Sequence, residues 1–180
     1  MFEVEVKARV KDMAALRSAL ESDGCVFSSP VTQKDTVYTP NDVAVHPVPA
    51  GVNVLRLREQ NGKCKITLKQ PRVNELDCLE VEFPVEQPDQ VLEMFKLLGF
   101  REFSVSQKTR VKGNWKGLEV CLDVVENLGE FIELEKLAEK GDPVQIQKEL
   151  FGMLAQFGIT EADQVHHGYD ILLAKKQGKL

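Results

Sequence analysis

Several stretches of this 180-residue chain alternate an ionised side chain with an apolar one, and the charges they carry are sorted. Glu3, Glu5 and Lys7 alternate with Val4 and Val6, Arg56 and Arg58 with Leu55 and Leu57, and Lys65, Thr67 and Lys69 with Cys64, Ile66 and Leu68. Glu80 and Glu82 alternate with Leu79, Val81 and Phe83, and Glu133 and Glu135 with Ile132 and Leu134; Lys108 and Arg110 share one phase, Glu119 and Asp123 another. Arginine forks match phosphate oxygens two at a time, and lysine adds a point charge. Carboxylates take hard divalent cations such as Mg²⁺, which keep substrate phosphates among their ligands. For any single stretch the simpler reading is a solvated face of an antiparallel sheet. The separation of basic from acidic stretches argues instead for a shared role toward a polyphosphate and a metal ion.

Such residues need strands to hold them, because strand side chains point alternately to opposite faces. The pattern predicts strands over 2–10, 33–38, 52–59, 63–70, 76–85, 100–113, 115–125 and 130–138. Asn61-Gly62 is a strong hairpin signal, and Gly113-Asn114 and Asn127-Leu128-Gly129 mark two further turns. Hairpin connections imply antiparallel pairing. Helices are expected over 13–21 behind Asp12, over 90–98 after Asp89, over 143–157 with Pro143 in the first turn, and over 161–175 after Thr160-x-x-Asp163. The expected fold class is α+β, mainly β: an eight-stranded antiparallel closed β-barrel formed by 1–180 as a single domain. The four amphipathic helices would cover its apolar outside. Its bore would then hold Lys7, Arg56, Arg58, Lys65, Lys69, Lys108 and Arg110 with Glu3, Glu5, Glu80, Glu82, Asp123, Glu133 and Glu135. Buried charges are costly, so that bore must be wet, paired or filled with ions.

Bulk composition narrows the classes. Hydrophobic residues make up 43% and charged residues 28%, which suits a globular chain, and the net charge of −5 argues against a nucleic-acid partner. Cys25, Cys64, Cys78 and Cys121 fit no zinc spacing and read as free thiols. No apolar run is long enough for a membrane span, and MFEVEVKARV does not resemble a signal peptide, so a cytoplasmic location is expected. Trp115 reads as packing, and Lys175, Lys176 and Lys179 as the charged end of a helix.

Glu3-Val-Glu5-Val-Lys7 resembles the E-x-E-x-K signature of the CYTH superfamily, the triphosphate tunnel metalloenzymes, and matching segments follow in order. Arg56-Leu-Arg58 resembles the R-x-R strand, Lys65 to Lys69 the paired-lysine strand, Glu80-Val-Glu82 the E-x-E strand and Lys108-Thr-Arg110 the K-x-R strand. Asp123 matches the lone aspartate, Gly129-Glu-Phe-Ile-Glu133-Leu-Glu135 the closing element, and Gly168-Tyr169-Asp-Ile-Leu172-Leu173 the C-terminal helix segment. Asp35-Thr-Val-Tyr38 and the chain length are closest to the class IV adenylate cyclase branch. The resemblance implies a tunnel, often in a homodimer, that uses Mg²⁺ or Mn²⁺ on a triphosphate such as ATP, thiamine triphosphate or tripolyphosphate. It implies metal binding by Glu3, Glu5, Glu133 and Glu135, and substrate binding by Lys7, Arg56, Arg58, Lys65, Lys69, Lys108, Arg110, Glu80 and Glu82. Catalytic roles fall to Lys7, Arg58 and Asp123. Cyclase, hydrolase and non-catalytic binder all remain open. The chain departs from the family at His166-His167-Gly168, where a basic residue and serine are usual, and in its proline-rich 40–51 loop with His46. The histidine pair reads as solvated.

Overall fold

Alternation becomes strand in the computed structural model, which describes residues 2–180. The elements are β1 (Phe2–Arg9), α1 (Met13–Ser22), β2 (Val26–Phe27), β3 (Val31–Pro40), β4 (Val54–Gln60), β5 (Lys63–Pro71) and β6 (Asp77–Val85), followed by α2 (Pro88–Leu97). Then come β7 (Phe100–Trp115), β8 (Leu118–Val125), β9 (Gly129–Ala138), α3 (Pro143–Leu154), β10 (Gln164–Val165) and α4 (Tyr169–Lys176). The sheet order is β10-β1-β6-β5-β4-β3-β7-β8-β9, and β1 also pairs with β9, so the eight long strands form the expected closed antiparallel barrel. The two-residue β2 and β10 are additions. The chain divides into two compact units, Met1–Val31 with Lys108–His166 and Thr32–Gln107 with His167–Leu180.

In the first unit, Val4, Val6 and Ala8 of β1 share a core with Val120 and Leu122 of β8 and Ile132 and Leu134 of β9. Leu16 and Leu20 of α1 and Ile146, Leu150 and Leu154 of α3 cover that apolar face. Asp12 caps α1 as expected, accepting from the Ala15 amide. Trp115 is 1% exposed in this core; its indole N–H donates to Asp23 at 2.9 Å and its ring meets Phe157 edge-on. In the second unit, Leu55 and Ile66 pack on Phe95 of α2, with Tyr38, Leu68 and Phe100 around them. Among the described residues, no helix is long and apolar enough to cross a membrane.

Three local expectations need correction. The β7–β8 turn is Lys116-Gly117, both at positive φ, and β7 runs on through Gly113-Asn114. Gly113 is there for proximity: β2 pairs with it, and an added Cβ would meet the Phe27 ring at 2.7 Å and Cys25 Sγ at 2.8 Å. The helix expected over 143–157 changes at Ala155 to a 3₁₀ turn that Gly158 ends at φ 78°. The helix expected over 161–175 is broken. Thr160 and Asp163 form a reciprocal capping box around a single 3₁₀ turn, Glu161–Asp163. Gln164 and Val165 then leave to pair with Ala8 and Lys7, and α4 starts only at Tyr169.

The capping box carries a pH signature. The Thr160 amide and hydroxyl donate to Asp163 at 3.0 and 2.7 Å, and with Lys11 they hold its carboxyl below the ordinary 3.8, at about 2. A depressed folded pKa gives stability that is complete above the unfolded value, about 4, and that is lost as pH falls through the folded value. Urea midpoints measured from pH 5 downward should therefore fall more steeply for the wild type than for Asp163→Asn. Parallel profiles would show that the box contributes nothing.

Candidate functional site

Pairing registers in the first unit bring one ionic face together across β1, β9, β8 and β7. Lys7 lies opposite Glu133, Glu5 opposite Glu135, Glu133 opposite Cys121, and Arg110 opposite Asp123. This face is not solvated: Lys7, Lys108, Arg110, Asp123 and Glu133 are each at most 5% exposed. Arg110 is its hub. Its Nε donates to Asp123 at 2.7 Å, and its Nη2 reaches both Asp123 and Glu133. Lys7 Nζ lies 3.1 Å from Glu5 and 3.2 Å from Glu133, and Lys108 Nζ lies 3.3 Å from Asp123.

Charge counting on this face gives a deficit of cations. Lys7, Lys108 and Arg110 stand against Glu3, Glu5, Asp123, Glu133 and Glu135. The consequences divide between two neighbouring carboxylates. Burial disfavours the Glu133 anion, but Arg110, Lys7 and Lys108 outweigh it and hold that carboxyl well below its usual range. Burial pushes Glu135 well above its usual range, and the Glu133 and Glu5 charges add to the push. Burial also opposes the Lys7 ammonium, yet Glu5 and Glu133 raise its pKa overall.

Glu5, Glu133 and Glu135 offer carboxylate oxygens all within 4.8 Å of one another. Hard oxygens converging on a face where carboxylates outnumber cations fit a divalent cation. Glu3 sits one step along, opposite Leu137, outside that trio. Glu119, Cys121 and Glu135 form a second close group, although burial raises the Cys121 thiol pKa and keeps it protonated.

The second unit has the reverse surplus. Arg56, Arg58, Lys65 and Lys69 stand against Asp35, Glu80 and Glu82 on one face of β3 to β6. Arg58 forks onto Asp35, with both bonds at 2.7 Å. Lys65 Nζ donates to Glu82 at 2.9 Å, Thr67 Oγ1 donates to Glu82 at 2.9 Å, and Lys69 pairs with Glu80. Burial disfavours the Glu80 anion, but Lys69 and Arg56 lower its pKa overall. Arg56 Nη2 reaches Thr67 at 3.1 Å and Glu82 at 3.5 Å, while its buried Nε–H has no partner among the described residues. A buried donor without an acceptor is costly, and a phosphate oxygen is a fitting acceptor.

Each residue expected on an ionic face therefore lies on one, in one unit or the other. Asp35, which sequence reasoning named only as part of a strand, is a missed member; its neighbours Lys34 and Thr36 are both polar, so no alternation of ionic with apolar residues marked it. The histidine pair does not behave as a solvated pair. His166 is exposed, but His167 Nδ1 lies 2.6 Å from Glu75 and its Nε2 lies 2.8 Å from Lys175 Nζ. Glu75 also accepts from the Gly168 amide at 3.1 Å, so it fixes the start of α4. All four cysteines are free, as expected, and three of them are buried.

Each unit thus carries its own ionic face: carboxylate oxygens in the first, which suit a metal ion, and forked and point cations in the second, which suit phosphate oxygens. The chain belongs to the CYTH domain family, whose model matches residues 1–169. A Methanocaldococcus jannaschii protein, provisionally named an adenylate cyclase, is 26% identical over 172 residues, covering 94% of this chain and 97% of its own. A solved Pyrococcus horikoshii structure is 27% identical with a TM-score of 0.78, covering 94% and 98% of the two chains. A Hippeastrum protein, provisionally named an adenylyl cyclase and described as having a dominant triphosphatase activity, shares the fold at 21% identity and a TM-score of 0.64. That match covers 99% of this chain and 96% of the other.

Proposed function

We propose that this protein is a metal-dependent enzyme acting on a triphosphate, with cyclisation of ATP to cyclic AMP and pyrophosphate as the first reading. The observation that carries the triphosphate reading is the opposite charge surplus of the two ionic faces, one short of cations and one holding a buried, unpartnered guanidinium N–H. The name of the Methanocaldococcus jannaschii relative favours the cyclase. The activity described for the Hippeastrum protein favours a second reading, hydrolysis of thiamine triphosphate or tripolyphosphate.

In this proposal Glu5, Glu133 and Glu135, with Glu3 beside them, hold Mg²⁺ or Mn²⁺. When bound, such an ion neutralises charge developing on phosphate oxygens. Arg56, Arg58, Lys65 and Lys69 hold phosphate oxygens, with Glu80 and Glu82 keeping the cations in place. Lys7, Lys108 and Arg110 supply the remaining positive charge. Positioning and charge stabilisation provide most of the catalysis in phosphoryl transfer. For cyclisation, the ribose 3′-oxygen bonds to the α-phosphorus, the bond from that phosphorus to the bridging oxygen breaks, pyrophosphate departs with the electron pair, and the proton of the 3′-hydroxyl passes to solvent. For hydrolysis, the water oxygen bonds to the terminal phosphorus, the bond from that phosphorus to the bridging oxygen breaks, the diphosphate part departs with the electron pair, and a proton of the water passes to solvent. Asp123 would orient the nucleophile rather than deprotonate it, because Arg110 and Lys108 already occupy its oxygens.

The test is incubation of the purified protein with ATP, thiamine triphosphate or tripolyphosphate and either Mg²⁺ or Mn²⁺. Cyclic AMP with pyrophosphate identifies the cyclase, and orthophosphate the hydrolase. Binding without product identifies a non-catalytic triphosphate binder. A protein inert toward all three substrates would end the triphosphate reading.

A further inference from the structure

Gln33, near the start of β3, shares its phase with Asp35, the carboxylate onto which Arg58 forks. The register places Gln33 opposite Gln60 and Asp35 opposite Arg58. Gln33 and Arg58 are therefore diagonal neighbours across the β3–β4 pair. Such neighbours on one face stand roughly 7–8 Å apart, within reach of long side chains. The ionic face of the second unit thus runs on past Arg58 into two uncharged amides, Gln33 and Gln60.

Those amides hold each other. Gln33 Nε2 donates to Gln60 Oε1 at 2.7 Å. The other amide atom of Gln33, Oε1, is buried and has no hydrogen-bond partner among the described residues. Gln33 is 3% exposed, so bulk solvent does not serve that oxygen. Interchanging O and N in both amides keeps the bond between them but leaves an unpartnered N–H instead, so the amide lacks a partner in either setting. A buried polar atom left unpaired is a cost that folding alone does not explain. As it stands, the atom is a neutral acceptor and calls for an O–H. It can take one beside a phosphate without the repulsion that a carboxylate would add. Asp123, by contrast, already has both oxygens on Arg110, with Lys108 close to one of them.

We propose that Gln33 positions the attacking water when Arg58 holds the terminal phosphate of a triphosphate. The inference rests on the triphosphate reading above and gives its hydrolytic form a residue for the nucleophile. A water donating to Gln33 Oε1 stands about 2.7–2.8 Å from it and must approach the phosphorus to about 3–3.5 Å. Diagonal neighbours on one face are spaced for such a pair of contacts. The water oxygen bonds to the phosphorus, the bond from phosphorus to the bridging oxygen breaks, and the diphosphate part leaves with the electron pair. A proton of the water passes to solvent, while Gln33 accepts a hydrogen bond and takes no proton. A neutral acceptor suffices, because phosphoryl transfer draws its catalysis from positioning and charge stabilisation.

Gln33→Met keeps the length of the side chain and removes the acceptor, whereas Gln33→Glu keeps an acceptor and adds a charge. Orthophosphate release, cyclic AMP formation and calorimetric affinity would be measured with ATP, thiamine triphosphate and tripolyphosphate in Mn²⁺. Gln33→Met should lower kcat for orthophosphate release by about 10²-fold with affinity changed less than about twofold, and cyclic AMP formation, where the wild type shows it, should fall far less. Gln33→Glu should keep kcat within about tenfold of wild type and lose affinity instead, because its charge repels phosphate. If Gln33→Met does not fold, Gln33→Glu decides alone: that split supports the proposal, and its reverse overturns it. Lost affinity with kcat unchanged in Gln33→Met would assign Gln33 to phosphate binding and overturn the proposal. Equal falls in orthophosphate and cyclic AMP, or no fall, would also overturn it. A wild type that makes cyclic AMP without orthophosphate, or binds without turnover, overturns it while leaving a triphosphate site in place. A wild type that neither binds nor turns over any of the three overturns both.

Discussion

Glu135→Gln is expected to lower divalent-dependent turnover by about 10²–10³-fold, in line with the removal of one group that stabilises transition-state charge, while the protein remains folded. Glu135 is the carboxylate of the first unit's ionic face whose pKa is raised, by burial and by Glu133 and Glu5. It shares with those two neighbours a set of oxygens no more than 4.8 Å apart. An amide keeps the shape, removes the anion and relieves repulsion within the trio. Melting in chelator should therefore be unchanged or higher than wild type, whereas the added stability that Mn²⁺ gives the wild type should shrink. Turnover measured against Mn²⁺ concentration, for this variant and for Glu5→Gln, checks the assignment. Unchanged activity in both would refute it.

Arg110→Ala is expected to destabilise the fold by about 3–5 kcal/mol, the usual cost of removing one partner from a buried charge network. Arg110 is 5% exposed and Asp123 and Glu133 are 0% and 3% exposed, so alanine leaves two buried carboxylates short of a cation. Arg110→Lys keeps the charge but not the fork that meets Asp123 and Glu133 together, and it should lose less. Urea unfolding of the three proteins measures both effects. A loss below about 1 kcal/mol for alanine, the range of surface ion pairs, would mean that the network is solvated.

The ionic faces were legible because strand side chains alternate strictly, and one misplaced turn did not spoil them. Moving the β7–β8 turn from Gly113-Asn114 to Lys116-Gly117 lengthens β7 but leaves Lys108 and Arg110 on the same side as each other. Gly-Asn is a turn signal in sequence, and only the arrival of Phe27 reveals that this glycine serves a close approach. The broken C-terminal helix was hidden for a related reason. Thr160-x-x-Asp163 is a sound helix start, but it closes one turn, and the next two residues find a strand partner far away in sequence at Lys7 and Ala8. The partnering of Asp35 with Arg58 depends on register, which alternation alone does not fix.

In the second unit Arg58, Lys65 and Lys69 each already hold an internal carboxylate before any ligand arrives. An incoming anion must compete with Asp35, Glu82 or Glu80 for each contact. A lone orthophosphate competes poorly on those terms, whereas a chain of linked phosphates can displace several rivals at once. Retention would then depend on how many anionic groups are tethered together, and cleavage of that tether would itself loosen the grip on the fragments.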